Sequence, residues 1–129
     1  MESTLREEVI DKLEQIQDSI NVIHERCKDF RDIDDFLITP WGMTVLDACM
    51  MRLQVIGETI KSIDDKTRQT LLSQYPQIPW HKIIGLRNII SHEYANIDYD
   101  IIWTVIRKYL TPLKDAVELV IKDLYNISR

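Results

Sequence analysis

The sequence predicts an all-α protein, an antiparallel bundle of four long helices plus a short one. Three observations carry that expectation. Apolar residues recur every three or four positions over long stretches, the period of a helix with one buried face. No stretch alternates for long with period two, as a half-buried strand would. The 129 residues include only three glycines, too few for an all-β fold of many tight turns or for a glycine-rich phosphate loop. A chain of this length fits one domain, 1–129, and can bury a real core without staples.

The first helix is expected over roughly residues 4–28, opened by a capping box of Thr4 with Glu7. Leu5, Val9, Leu13, Ile16, Ile20, Ile23 and Cys27 form its single apolar stripe. DFRDIDDF (29–36) breaks the period and reads as a connection with room for a short turn of helix. Thr39 is then a good N-cap with Pro40 at the first helical position. The second helix runs from there to about Ile63, with Val45, Leu46, Cys49, Met50, Leu53, Ile56, Ile60 and Ile63 inward. Gly57 costs that helix about 1 kcal/mol relative to alanine, which points to a close helix crossing there. A short third helix is expected near 65–74, closed by Pro76 and Pro79. The fourth starts at Pro79 or Trp80 and ends near Tyr94 or Ala95. Asp98 or Asp100 caps the fifth, which Pro112 should kink or split.

Charge and cysteine usage narrow the function. Residues 1–35 carry eleven acidic and five basic side chains, whereas the remainder is nearly balanced, for a net −5 overall. Phosphate neutralisation supplies most non-specific nucleic-acid affinity, so an acidic first helix argues against a protein that coats RNA or DNA broadly. A small local site stays open. Cys27 and Cys49 lack metal-ligand spacing and a disulfide framework, and read as buried free thiols in a reducing cytosol. With no apolar leader segment and no run of membrane-spanning length, a cytoplasmic protein without membrane contact is expected.

The chemistry concentrates in LRNIISHEY (86–94), where Arg87, Asn88, Ser91, His92 and Tyr94 interrupt an otherwise greasy helix. Asn88 and His92, four apart, share a face. Arg87 and Tyr94, seven apart, are nearly aligned, with Ser91 between them. Arg87 and His92 diverge by roughly 140° on a regular helix. One ideal helix therefore does not aim both at one atom. Either the last turn unwinds, or Arg87 reaches around, or a second chain brings another copy opposite. Histidine as a residue type is suited to move a proton at a ribose hydroxyl. Arginine offers forked donors to phosphate oxygens. The pair, with neither a carboxylate cluster nor cysteine ligands beside it, points to metal-independent RNA cleavage if it points to catalysis. Such a reaction wants both a base and an acid, which a two-fold dimer with two His92 residues would supply. On composition alone, however, a polar stripe on an amphipathic helix reads first as a solvated face or an interhelix hydrogen-bond seam. His24 reads as surface and His81 as a helix-start residue. Trp41, Trp80 and Trp103 read as core or interface fillers, and Glu58 as a partner for a basic side chain.

The spacing Arg-x4-His-x-Tyr, met by Arg87, His92 and Tyr94 with Asn88 directly after the arginine, resembles the HEPN superfamily. Within it, the arrangement resembles the HepT-like toxins encoded beside MntA-type minimal nucleotidyltransferases. LQVIGETIKSI (53–63) is similar to that family's Ile-Gly-Glu segment, and PQIPWHKIIGLRNIISHEYANIDYDIIW (76–103) to its Pro-Trp lead-in and Asp-x4-Trp follow-on. The resemblance covers roughly residues 45–110. It implies a HEPN-like helical homodimer with a ribonuclease site between protomers, and the toxin half of a type VII-like toxin–antitoxin pair. Arg87 and His92 would be the catalytic pair acting on mRNA or tRNA without metal or cofactor. Apart from the resemblance, Asn88 is read as orienting His92 across one helical turn and Ser91 as a supporting residue. Tyr94 would be the residue that the antitoxin nucleotidyltransferase modifies with AMP, using ATP, to silence the toxin. The competing expectation is a non-catalytic helical module that only docks such a nucleotidyltransferase.

Overall fold

The computed structural model describes residues 1–127. In chain order its elements are α1 (Ser3–Cys27), α2 (Ile33–Leu37), α3 (Pro40–Lys66), a 3-10 turn (Leu72–Gln74), α4 (Trp80–Glu93), a second 3-10 turn (Tyr94–Asn96), α5 (Tyr99–Thr104), a π-turn (Val105–Tyr109) and α6 (Leu110–Ile127). No strand occurs among the described residues. The α5, π-turn and α6 segments follow one another without a gap as one rod. The bundle thus has four long members, α1, α3, α4 and this rod, and the all-α architecture is as expected.

Helix α3 is the hub, packing against α1, α4 and α2, while α1 also packs on α6. The apolar period explains why. Val9, Leu13, Ile16, Ile20 and Ile23 of α1 are buried, as is every residue of α3 expected inward, and Leu5 is half-buried at the rim. A fully buried aliphatic side chain of this size stabilises by about 1.5–3 kcal/mol. Surface ion pairs such as Lys66 with Glu8, at 2.8 Å, add little beside that. Cys27 and Cys49 are free, buried thiols with their sulfurs 3.4 Å apart, where α1 ends against α3.

Local chemistry sets the helix ends, and several differ from expectation. The capping box of Thr4 and Glu7 does not form. Glu2 caps α1 instead, its carboxylate accepting from the backbone N–H groups of Thr4 and Leu5. Thr39 caps α3 as expected, accepting from Gly42 N–H at 2.9 Å, with Pro40 in the first turn. The short helix expected near 65–74 is absent as such. Helix α3 runs on to Lys66 and stops in a Schellman turn, with Gln69 N–H donating to Asp64 C=O and Arg68 N–H to Asp65 C=O. Arg68 (φ 52°) and Gln69 (φ 62°) are left-handed there, where glycine is usual, so no glycine in the sequence marks the stop. The short α-helix lies instead at α2, inside the segment expected to be mainly a connection. Asp32 caps it by accepting from Asp35 N–H. Its anchor is the fully buried Phe36, stacked on Phe30 at 4.0 Å and edge-on to Trp103 at 5.2 Å.

The break expected from Pro112 lies one turn earlier. Leu110 N–H donates to Val105 C=O, closing a π-turn. The widened turn gives room to the proline ring, which in a regular helix would crowd the Lys108 carbonyl. Asp98, rather than Asp100, caps α5. Among the tryptophans, Trp80 is buried and Trp103 half-buried, but Trp41 is 70% exposed and fills no core position. His24 is half-buried rather than a plain surface residue, and burial together with nearby Lys114 holds its imidazole below the usual value.

Candidate active site

Gly57 brings α3 and α4 together as expected. A Cβ placed there would lie 3.0 Å from the Arg87 Cβ and 3.0 Å from the Ile83 carbonyl oxygen. That close approach carries α4's polar stripe onto a polar edge of α3, and three side-chain pairs bridge the two helices. Arg87 Nη1 donates to Glu58 Oε1 at 2.5 Å. Gln54 Nε2 donates to Ser91 Oγ at 2.7 Å. Tyr94 Oη donates to Asp47 Oδ1 at 2.5 Å. The partners run in opposite order along the two helices, as an antiparallel pair requires. Arg87, Ser91 and Tyr94 therefore share one face, as their spacing predicts.

Asn88 and His92 lie on the neighbouring face and are exposed. Helix α4 runs regularly through His92; Glu93 is the residue where its backbone departs (φ −123°, ψ 18°), and the tighter turn follows from Tyr94. The last turn does loosen next to His92, but beyond both residues, so it does not bring His92 beside Arg87. Nor does Arg87 reach around the helix, because its guanidinium is tied to Glu58 on α3. Within one chain the structure keeps the two groups on different faces. His81 is exposed at the start of α4, the helix-start position expected for it. Among the described residues no group of three or more His, Cys, Asp and Glu side chains is placed to hold a metal ion. No helix among them is long and apolar enough to cross a membrane.

The Arg87–Glu58 pair is half-wet, the arginine side chain 23% exposed and the glutamate 50%. Arg87 Nε is fully buried and has no acceptor. Tyr94 is different, with 48% of its surface exposed while its hydroxyl is held by Asp47. That hydrogen bond, then burial and the Asp47 charge, push the phenol up to about 12. A raised value means that the bond favours the protonated phenol and is lost as pH rises through about 12. We expect Asp47→Asn to bring the Tyr94 titration back toward that of a free tyrosine, read by ultraviolet difference absorbance against a Tyr94→Phe blank. An unchanged titration would show that Asp47 does not hold the hydroxyl.

Sequence reasoning missed Asp47 and Gln54. Each is a polar residue on the outward edge of α3 and reads as solvated until α4's register is known. Gly57 was the available signal, because a close crossing at that point sets which α3 residues face Arg87, Ser91 and Tyr94.

Comparison with known proteins bears on this arrangement. The family model described as "Ribonuclease HepT-like" matches residues 7–120. "Putative RNase MJ1380" of Methanocaldococcus jannaschii is 32% identical over 108 residues, covering 84% of this chain and 92% of the relative. "Putative RNase TTE0752" of Caldanaerobacter subterraneus subsp. tengcongensis is 31% identical over 111 residues, 85% of this chain and 91% of the relative. "Probable ribonuclease HepT" of Thermococcus cleftensis is 27% identical over 108 residues, with 84% and 91% covered. No solved structure matches the chain. The match takes in both α3 and α4, the two helices that build the polar ladder, and with the all-α bundle it places this chain in the ribonuclease HepT-like family of the HEPN superfamily.

Proposed function

We propose that the chain is a metal-independent ribonuclease that cuts mRNA or tRNA in the cytoplasm, working as a two-fold homodimer of a single 1–129 domain. The observation that carries this reading is the split between Arg87, turned toward α3, and His92, open on the adjacent face. A second copy across a groove brings a His92 opposite each Arg87 and supplies an acid as well as a base. Exposed Met51 and Val55, one turn apart on α3, and Ile89 on α4 support a subunit interface on this side of the bundle.

In the reaction, one His92 takes the proton of a 2′-hydroxyl, whose oxygen attacks the adjacent phosphorus. The bond to the 5′-oxygen breaks, and the second His92 protonates that oxygen as it leaves. Arg87 offers donors to the phosphate oxygens as charge builds in the transition state. Asn88 orients His92 across one helical turn, and Ser91 fixes the stripe to α3. The products are a 2′,3′-cyclic phosphate and a free 5′-hydroxyl.

The activity is that of a toxin in a type VII-like pair. An antitoxin nucleotidyltransferase uses ATP to place AMP on Tyr94, the phenol oxygen attacking the α-phosphorus as its proton is lost and pyrophosphate leaves. The exposure of Tyr94 suits it as an acceptor. The added phosphate and nucleoside, two residues from His92, block RNA entry and pair with Arg87. The test uses purified protein on a single-stranded oligoribonucleotide in excess EDTA. Dimer by sedimentation, cyclic-phosphate ends by mass spectrometry, and AMP adducts on wild type but not on Tyr94→Phe after co-expression with a minimal nucleotidyltransferase are expected. Cleavage that needs a divalent cation, or leaves 5′-phosphate ends, would replace this chemistry with another.

A further inference from the structure

Three features of α3 and α4 converge on Arg87. Gly57 lacks the side chain that would keep the helices apart, so the Arg87 stem packs directly on the α3 backbone. Glu58, the next residue, meets the guanidinium with one oxygen at Nη1. The Nε–H is buried without an acceptor. A guanidinium is a rigid plane, so holding Nη1 on a carboxylate oxygen while the Nε end is packed away from solvent limits how the whole fork can turn. Among the described residues Glu58 alone accepts from it, and the Nη2 amino group stays uncommitted.

The geometry points to Glu58 as the positioning residue of Arg87: Gly57 and Glu58 form a seat that holds the guanidinium in place before RNA arrives, leaving Nη2 to meet a phosphate oxygen. This rests on the ribonuclease reading above, since it assigns Arg87 to the scissile phosphate. Glu58 does not touch the substrate. Its carboxylate also puts a negative charge beside the site, so it weakens ground-state attraction for RNA while ordering the group that acts in the transition state. The expected cost of removing it therefore falls on turnover and not on binding.

The experiment has a catalytic arm and a spectroscopic arm, both on the full chain. Glu58 is half-exposed, so its variants retain the fold. With a fluorophore-quencher oligoribonucleotide, Glu58→Ala should lower kcat by roughly 10–100-fold, the scale of a misplaced catalytic group, with KM unchanged or lower. Glu58→Gln keeps an oxygen at the same place and should recover most of that loss. In an Arg87→Lys background Glu58→Ala should add little, because the two residues act as one unit. Independently of RNA, the Arg87 Nε–H signal in nitrogen-15 spectra should be slow to exchange in wild type and lost in Glu58→Ala. A Glu58→Ala protein with wild-type kcat, a rise in KM alone, or an unaltered Nε–H signal overturns the proposal. A wild type that cleaves no RNA, while the Nε–H signal still answers to Glu58, overturns the ribonuclease reading and upholds the seat.

Discussion

His92→Ala should lose about three orders of magnitude of RNA-cleaving rate, within the range that a positioned proton-transfer group contributes. The residue is exposed on α4, and no hydrogen bond or ion pair among the described residues engages its side chain, so the fold has no stake in it. Circular dichroism and the melting temperature should match wild type. That combination separates an enzyme from a docking module. In a module, the substitution would leave a trace RNase contaminant unchanged between the two preparations. Equal cleavage by wild type and His92→Ala at matched purity would end the catalytic assignment. Growth on induction gives the same answer in cells: arrest with wild type, and normal growth with His92→Ala.

Gly42→Ala should be the most destabilising of the small substitutions. Gly42 sits in the first turn of α3, where α2 passes so close that an added Cβ would collide with the Phe36 carbonyl oxygen and lie 2.8 Å from the Phe36 Cα. These are backbone atoms of a residue whose ring is fully buried, so they cannot swing aside. Overpacking of this kind costs about 3 kcal/mol, the upper part of the usual range. The gain in helix propensity returns only about 1 kcal/mol. The net loss of about 2 kcal/mol should lower Tm by roughly 8 °C. Gly85→Ala is the internal control. Nothing lies within 4 Å of a Cβ at that position, so the same exchange in α4 should stabilise by about 0.5–1 kcal/mol. If both variants melt alike, the tight passage of α2 over α3 is not present in solution.

How far the sequence foretold this molecule depended on the range of the interaction. The stripes of α1 and α3 were legible because burial repeats with the helix period, and each residue assigned inward on α3 is buried. The end of α3 was not, because the left-handed position that stops it is filled by Arg68, not glycine. Helix α2 was hard to see since a helix of five residues has no period, and Phe36 is its one buried side chain, with Ile33 packed at the core's edge. In the site, the order of Arg87, Ser91 and Tyr94 along one face followed from angle alone. Their partners Asp47 and Gln54 could not, because a residue on the outer edge of one helix acquires meaning only from the register of another.

The ladder between α3 and α4 joins residues separated by 29, 37 and 47 positions in the chain. Each α3 partner is made well before its α4 counterpart, so the Glu58 rung waits for Arg87 to leave the ribosome and the Asp47 rung waits for Tyr94. The polar ladder is thus a late product of synthesis, and the rod that covers α1 and completes the bundle emerges only after it.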